Sequence, residues 1–334
     1  MARKQMVLSN KEELKSDLEL AKYFKAFELS TEFRRIKFSD KSLFHHLPRL
    51  IKAGIEYQFL SYYFGSVPKW RVLARKLLSA KRIAPDYVMT GPSKSGSSDL
   101  VSHLLLHPNI LHPLAKELRL YANKDWRLYY PTVKEKKNLE RNIVGPARCG
   151  YLEPTLSNLK VLERLHDVNP DCKVIITLRD PVARAYSYWK WEIFVGGSRL
   201  KQNKKMAYFQ DYSKYIERAL DLFPSIKMET VCGPQVLESG IYYKAVEQWI
   251  NRFGRKNVLV LDVAEYFQDR QPVLEKIQKF LGIPVISIPE YGKKTNENPI
   301  KLPPPDPKTK SKLAKFYQPY NKKLFKLIGF EFDW

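Results

Sequence analysis

The segment Asp86-Tyr-Val-Met-Thr-Gly-Pro-Ser-Lys-Ser-Gly-Ser-Ser98, followed at once by Asp99-Leu-Val-Ser-His-Leu-Leu-Leu106, constrains the fold more than any other stretch. A β-rich run enters a loop of small residues, and a helical run leaves it. Such a loop aims backbone N–H groups and the positive end of a helix dipole at an anion. Gly91 and Gly96 stand at the spacing of G-x-x-x-x-G-K-[ST], the loop of nucleoside-triphosphate enzymes. Ser97, however, occupies the place of that lysine, and Lys94 precedes Gly96 by two residues. The loop is therefore expected to hold a phosphate without the lysine that serves β- and γ-phosphates. That argues against an ATPase or a kinase.

The rest of the chain alternates in the manner of a parallel sheet with crossover helices. Lys173-Val-Ile-Ile-Thr-Leu178 is a near-continuous apolar run, as a strand buried on both faces requires. A second strand is predicted at Asn257–Leu261 and a short one near Asn109–His112. Helices are predicted over 98–107, 156–166, 240–253 and 272–281, with Pro108 stopping the first and Pro181 opening another. Residues 122–148 and 196–232 show no clear period and read as excursions, the first of them over the active face. Leu302-Pro-Pro-Pro-Asp-Pro307 reads as a stiff polyproline-like connector to a helical tail. The fold class expected is α/β: a P-loop-like parallel β-sheet flanked by helices on both faces, with a helical N-terminal extension. Residues 1–84 form that basic extension in this reading, and residues 85–334 form the α/β domain.

At 334 residues and 44% hydrophobic, the chain can bury a full core, and its formal charge of +23 calls for anionic company. Nucleic acid, an acidic polysaccharide, an anionic membrane surface and small anionic ligands all qualify. The ten lysines and two acidic residues between Lys293 and Lys326 read as a solvated helix face. Three cysteines without C-x-x-C spacing exclude a disulfide scaffold and suggest no zinc site; Cys172, before a core strand, reads as a small buried hydrophobe. The N-terminus lacks the apolar core of a secretory signal, and no window approaches the ~20 apolar residues of a spanning helix. The chain as given is expected to be soluble, cytoplasmic rather than secreted, with Golgi residence if an anchor is missing or a partner supplies one. Ala53–Phe64 reads as a core-packing helix, with peripheral membrane contact as its alternative.

A second anion site is predicted at Arg179-Asp-Pro-Val-Ala-Arg-Ala-Tyr-Ser187. Arg179 ends a strand at the edge where open α/β sheets bind ligands, and Ser187 falls on the helix that follows. A guanidinium and a hydroxyl there suit a phosphate, although Arg-Asp-Pro is equally a common helix-capping turn. Two anion sites at the carboxyl ends of neighbouring strands suit a nucleotide phosphorylated at both its 5′ and 3′ positions. In these two motifs the chain resembles the sulfotransferases that use 3′-phosphoadenosine 5′-phosphosulfate (PAPS), and in particular their carbohydrate, heparan sulfate-type branch. The resemblance runs through Leu237-Glu-Ser-Gly-Ile-Tyr242 and the Trp249 helix. It continues to Phe316-Tyr-Gln-Pro-Tyr-Asn321 and Gly329-Phe-Glu-Phe-Asp-Trp334, and so covers residues 85–334.

The resemblance implies an in-line sulfuryl transfer in which positioning and charge stabilisation dominate. Lys94 would neutralise the leaving oxygen. The backbone of residues 95–98, that is Ser95, Gly96, Ser97 and Ser98, would hold the 5′-phosphate together with the two last hydroxyls. Arg179 and Ser187 would hold the 3′-phosphate. Lys116-Glu-Leu-Arg-Leu-Tyr121 stands where that branch places its general base, making Glu117 the base and Lys116 its neighbour at the sulfate or acceptor. Arg119 replaces the histidine of that segment. His112 is the rival base. Glu153, followed by Pro154 in place of a lysine, would meet the acceptor together with Arg119. Lys293 and Lys294, with Asn296, would close over the 3′-phosphate. The implied donor is PAPS without a metal, and the acceptor a carbohydrate or another hydroxylated molecule. Sulfation of a small hydroxylated metabolite is the alternative within enzymes. A non-enzymatic basic binding module for nucleic acid or membrane is the alternative outside them; it would not need Lys94, Arg179 and Ser187 together, so no specific nucleic acid partner is expected.

Overall fold

The computed structural model describes residues 46–64, 66–78, 80–117, 125–138, 143–145, 147–149, 152, 156–202, 209–224, 235–289 and 302–334, with 21, 25, 26, 28–30 and 32 nearer the N-terminus. Helices α1 (Leu47–Gln58) and α2 (Lys69–Leu77) precede β1 (Tyr87–Gly91), α3 (Ser97–Leu104) and β2 (Ile110–Leu111). Then come α4 (Val133–Asn138), β3 (Ile143–Val144), β4 (Ala147–Cys149), α5 (Leu156–Val168) and β5 (Lys173–Leu178). The chain continues through α6 (Pro181–Gln202), α7 (Tyr212–Leu222), α8 (Gln235–Glu238), α9 (Tyr243–Phe253) and β6 (Val258–Asp262). Helices α10 (Val263–Gln268), α11 (Arg270–Leu281) and α12 (Pro307–Ile328) complete it.

The main sheet has the order β4-β1-β5-β6 with every pairing parallel. Strand β5 lies where its composition requires, between β1 and β6, with Val174, Ile175, Ile176 and Leu178 fully buried. The pleat then sorts its neighbours into two cores. Val88, Val174, Ile176, Leu178, Val258 and Val260 face α5 and α9 on one side. Met89, Ile175 and Leu261 face α3 and α11 on the other. Each such side chain contributes roughly 1.5–3 kcal/mol by leaving water, which explains why a sheet of four short strands suffices. A third cluster joins α6, α7, α8 and α12 through Trp189, Tyr215, Ile216, Leu237, Leu313 and Tyr317. It supports α6 from behind.

Two sequence expectations are corrected here. Residues 122–148 are not an unstructured excursion: β3 pairs with β2, and the segment leads into β4, the edge strand that pairs with β1. Strands of two and three residues carry too little alternation to be read from sequence. Residues 196–232 likewise hold the last turns of α6 and all of α7. Asp211 caps α7 by accepting from the Lys214 N–H, and Tyr212, Tyr215, Ile216 and Ala219 recur at helical spacing on its buried face. The lysine-rich tail is the solvated helix expected of it, with Leu313, Tyr317, Leu324 and Ile328 turned inward. Cys172 is buried, and burial pushes its thiol well above the usual range.

The stretch Ala53–Phe64 splits. Tyr62, Tyr63 and Phe64 enter the core, whereas Ile55 and Phe59 face outward and only Ala53 of α1 is buried. Periodicity identifies the apolar face of a helix but does not say what covers it.

Candidate active site

The loop between β1 and α3 is shaped by close approaches. A β-carbon on Gly91 would stand 2.3 Å from the Thr177 carbonyl oxygen and 2.6 Å from Ser95 Oγ. One on Gly96 would stand 2.3 Å from Val263 Cγ2, and Gly96 also adopts φ 73°, the left-handed region. These contacts account for both glycines of the motif. Ser95 Oγ lies 3.1 Å from Thr177 Oγ1, which donates to the Thr90 carbonyl at 3.2 Å. With the threonine proton used there, Ser95 donates to Thr177. The loop is thereby stitched to the carboxyl end of β5.

Lys94 also adopts a left-handed backbone, φ 76°, which costs a residue with a β-carbon about 1–2 kcal/mol. In that conformation its carbonyl accepts a hydrogen bond from Arg179 Nη1 at 3.3 Å. Its ammonium lies over the ring of Trp191, 4.4 Å from the centroid. The Arg179 guanidinium therefore rests on the backbone of the Lys94 turn, while the Lys94 ammonium reaches across to α6 at Trp191.

Helix α3 begins at Gly96, which has no side chain with which to cap it. The first N–H groups of a helix have no acceptor within it, so this end is suited to an external anion. Below it, buried Asp99 accepts from Tyr266 Oη at 2.9 Å, with His103 Nδ1 and Arg270 Nε each 3.6 Å from the same carboxylate oxygen. This network fixes the first turn of α3 on α10 and α11, and burial holds the Tyr266 phenol far above its ordinary pKa.

At the end of β5 the capping turn forms on the segment where the second anion site is expected. Asp180 accepts from the N–H groups of Val182 and Ala183 at 3.0 and 3.1 Å, and Pro181 follows at the first helical position. Its carboxylate is thus directed into α6. Arg179 has no ion pair among the described residues, and its carbonyl is fixed by Tyr242 Oη at 2.8 Å. Burial draws its guanidinium pKa down, opposed by Tyr242 and Asp180. A shielded cation with unspent donors is a receptor for an oxyanion. Ser187 lies one helical turn before Trp191 on α6, on the face that meets the loop. Arg184 is fully buried and donates to the Val236 carbonyl, pinning α6 onto α8.

Lys116 and Glu117 sit beyond β2. The Lys116 ammonium is fully buried and donates to Glu117 Oε1, while the Glu117 side chain is partly exposed. Their segment is held by a parallel bridge between Ala115 and Tyr63, with the Lys116 N–H bonded to the Tyr63 carbonyl at 2.9 Å. His112 packs edge-on against Tyr62 and bonds the Pro113 carbonyl at 3.3 Å. Arg119, Tyr121, Glu153, Lys293, Lys294 and Asn296 lie outside the described residues.

Three contributors were not assigned to the site from sequence: Thr177, Trp191, which the sequence marked only as one of a pair of aromatics that a basic binding module could expose, and Tyr242. A lone threonine in a buried apolar strand must find a partner, so Thr177 was in principle detectable. Trp191, four residues beyond Ser187, was visible by helical spacing. Nothing local in the sequence marks Tyr242 as a partner of Arg179.

Comparison with known proteins agrees with this layout. The chain is 23% identical over 306 residues to human heparan sulfate glucosamine 3-O-sulfotransferase 5, covering 85% of this chain and 82% of that one. It is 22% identical over 218 residues to the bifunctional heparan sulfate N-deacetylase/N-sulfotransferase 1 of Caenorhabditis briggsae, covering 64% of this chain but only 24% of that larger protein. Among solved structures, the sulfotransferase of Alicyclobacillus acidocaldarius shares the fold, with TM-score 0.54 and 21% identity over 75% of this chain and 98% of that one. A sequence profile of the sulfotransferase domain matches residues 84–298, and on that match the chain belongs to the sulfotransferase family.

Proposed function

We propose that the chain transfers a sulfuryl group from PAPS to a hydroxyl or amine of a carbohydrate acceptor. The observation that carries this reading is the hydrogen bond from Arg179 to the Lys94 carbonyl, which sets the loop assigned to the 5′-phosphate directly beside the arginine assigned to the 3′-phosphate. The cradle suits such a ligand: Gly91 and Gly96 let the loop close against Thr177 and Val263, and the start of α3 has no side-chain cap. PAPS supplies the activated sulfuryl group.

The residues then divide the work. Ser95, Gly96, Ser97 and Ser98 bind the 5′-phosphate through the loop and the start of α3. Arg179 and Ser187 bind the 3′-phosphate, aided by Lys293 and Lys294. Lys94 neutralises the phosphate oxygen from which sulfur departs, and Trp191 keeps its ammonium beside the loop. Glu117 accepts the acceptor's proton as sulfur bonds to the acceptor oxygen or nitrogen and its bond to the 5′-phosphate oxygen breaks, with Lys116 fixing the carboxylate. Arg119 and Glu153 meet the acceptor. An acidic polysaccharide is favoured over a small metabolite by the net charge of +23 and by the heparan sulfate names of two relatives.

Calorimetric titration with 3′,5′-adenosine bisphosphate tests the nucleotide assignment. The folded wild type should bind, and Arg179→Ala should bind at least about tenfold more weakly, since a charge-assisted bond is worth about 1.5–3 kcal/mol. A folded wild type that does not bind overturns the reading. Labelled PAPS, offered with heparan-type polysaccharide and with small phenols and sterols, then identifies the acceptor class. Transfer to the small molecules alone would replace the carbohydrate assignment.

A further inference from the structure

Helices α1 and α2 carry their amphipathic faces in the inverse of the usual sense. On α1, Leu47, Ile51 and Ile55 recur every four residues, and Phe59 at the C-cap continues the row. On α2, Trp70, Leu73 and Leu77 share a face and Leu78 follows. All eight side chains are between 43% and 76% exposed. The two rows are joined, because Trp70 Nε1 donates at 2.7 Å to Gln58 Oε1, and Gln58 lies on the same side of α1 as Leu47 and Ile51.

The polar side of α2 is what grips the body. Arg75 Nη1 donates to the carbonyls of Leu128 and Tyr130 at 2.9 and 3.3 Å, and Lys76 pairs with Asp125 at 3.5 Å. Burial lowers the Arg75 guanidinium to about 10, so it remains a cation at neutral pH. No residue of α2 is buried. A helix packed on a core turns its apolar stripe inward. Here the arginine faces in and the leucines face out. Isolated exposed leucines need no explanation, but a continuous apolar row of this extent marks a binding surface.

The surrounding charge selects the partner. Residues 46–82 contain eight lysines and arginines and one acidic residue, Glu56, which is paired with Lys25 at 3.1 Å. Lys52 stands exposed beside the α1 row and Lys69 beside the α2 row, with Arg49 exposed on α1 as well. A second copy of this surface would present cations to cations. An anionic lipid surface meets both properties, since headgroup phosphates attract the cations while the acyl boundary takes Trp, Phe and Leu. We propose that α1 and α2 form an interfacial seat by which the protein docks on anionic phospholipid. The seat adjoins the site, because the segment linking α1 to α2 contains Tyr63, which bridges Ala115 beside Lys116. This inference stands independently of the acceptor and of the nucleotide.

The test is co-sedimentation of the full chain with phosphatidylcholine vesicles, with and without phosphatidylserine. The wild type should bind the phosphatidylserine vesicles and release them as salt is raised. Leu73→Glu/Leu77→Glu and, separately, Ile51→Glu/Ile55→Glu should each weaken binding at least about tenfold, because removing even one buried leucine side chain forfeits about 1.5–3 kcal/mol. Arg49→Glu/Lys52→Glu should weaken it severalfold. Brominated lipid should quench tryptophan emission in the wild type, and much less in Trp70→Phe. Unchanged melting temperatures and unchanged binding of 3′,5′-adenosine bisphosphate would establish that the variants fold. The proposal is overturned if the wild type stays in the supernatant, or if the apolar substitutions leave vesicle binding unchanged. A lipid-free dimer that Leu73→Glu/Leu77→Glu dissociates would overturn it equally, by making a second copy the occupant.

Discussion

The loop from Gly91 to Ser98 and the helix pair from Leu47 to Leu78 are built by opposite means. In the loop, geometry is dictated from inside the molecule: two glycines are required by neighbours 2.3 Å from where a β-carbon would stand, and Lys94 is held left-handed with its carbonyl on Arg179. In the helix pair, an apolar row on each helix faces away from the molecule; α2 is attached by bonds from Arg75 to carbonyls, and the linker between the helices is anchored by Tyr62, Tyr63 and Phe64 in the core. The first arrangement makes sense for a region whose ligand is small and whose geometry must not vary. The second makes sense for a surface that completes itself against something large.

Four experiments sharpen or break that contrast. Lys94→Ala should have the largest effect, lowering the rate of sulfuryl transfer by about a hundred- to a thousandfold, as loss of one preorganised charge stabiliser does, while melting is little changed. Equal rates in single-turnover assays would remove Lys94 from the chemistry. Gly91→Ala comes next. Its methyl group meets a backbone oxygen that cannot rotate away, so chemical denaturation should show a loss of about 2–3 kcal/mol. A loss below the usual surface range of about 0.5 kcal/mol would mean that the loop is less constrained than its geometry implies.

The third concerns His107, whose Nε2 donates to the Pro284 carbonyl at 2.8 Å while Nδ1 accepts from the Asn109 N–H at 3.0 Å. Burial lowers its pKa below the usual histidine value of 6.5, partly offset by the bond to Pro284. The unfolded chain then takes up the proton first, so the stability from the neutral ring is full above pH 6.5 and is lost as pH falls through the folded pKa. The wild-type melting temperature should decline across that interval more steeply than that of His107→Gln; parallel curves would exclude the histidine. The smallest effect belongs to the helix pair. Leu73→Ser and Leu77→Ser should each change stability by no more than about 0.5 kcal/mol in solution. A cost of a buried leucine's size would show that these side chains pack against the protein after all.

Much of the sheet was visible in the sequence because its causes are local. The run Lys173–Leu178 has one composition that suits a strand covered on both faces, and it became one, residue for residue. The strand–loop–helix layout around Gly91 and Gly96 was visible for the same reason, since each glycine spacing answers to a single turn of backbone. Strand β4 was not visible, because three residues at a sheet edge take their conformation from β1 rather than from themselves. Helix α7 was missed although Asp211 and the Tyr212, Tyr215, Ile216 row announce it. The meeting of Lys94 with Arg179 and Trp191 is a tertiary fact joining residues some 85 to 97 positions apart in the chain. The outward face of α2 was hidden for a different reason: a pattern of leucines reports that a surface is apolar, whereas its direction depends on where Arg75 finds its carbonyls.

On the proposed assignment of Arg179 to the ribose phosphate, its bond to the Lys94 carbonyl also bears on discrimination among nucleotides. A contact shared by two half-sites lets each half-site sense occupancy of the other, so the affinities of the two phosphates should not simply add. An adenosine nucleotide lacking its ribose phosphate would leave Arg179 unneutralised and the Lys94 turn less firmly held. Its binding should then fall by more than one phosphate's own contacts explain. The abundant cellular nucleotides, which carry no such ribose phosphate, would thereby be kept out of the site by the loop's own architecture.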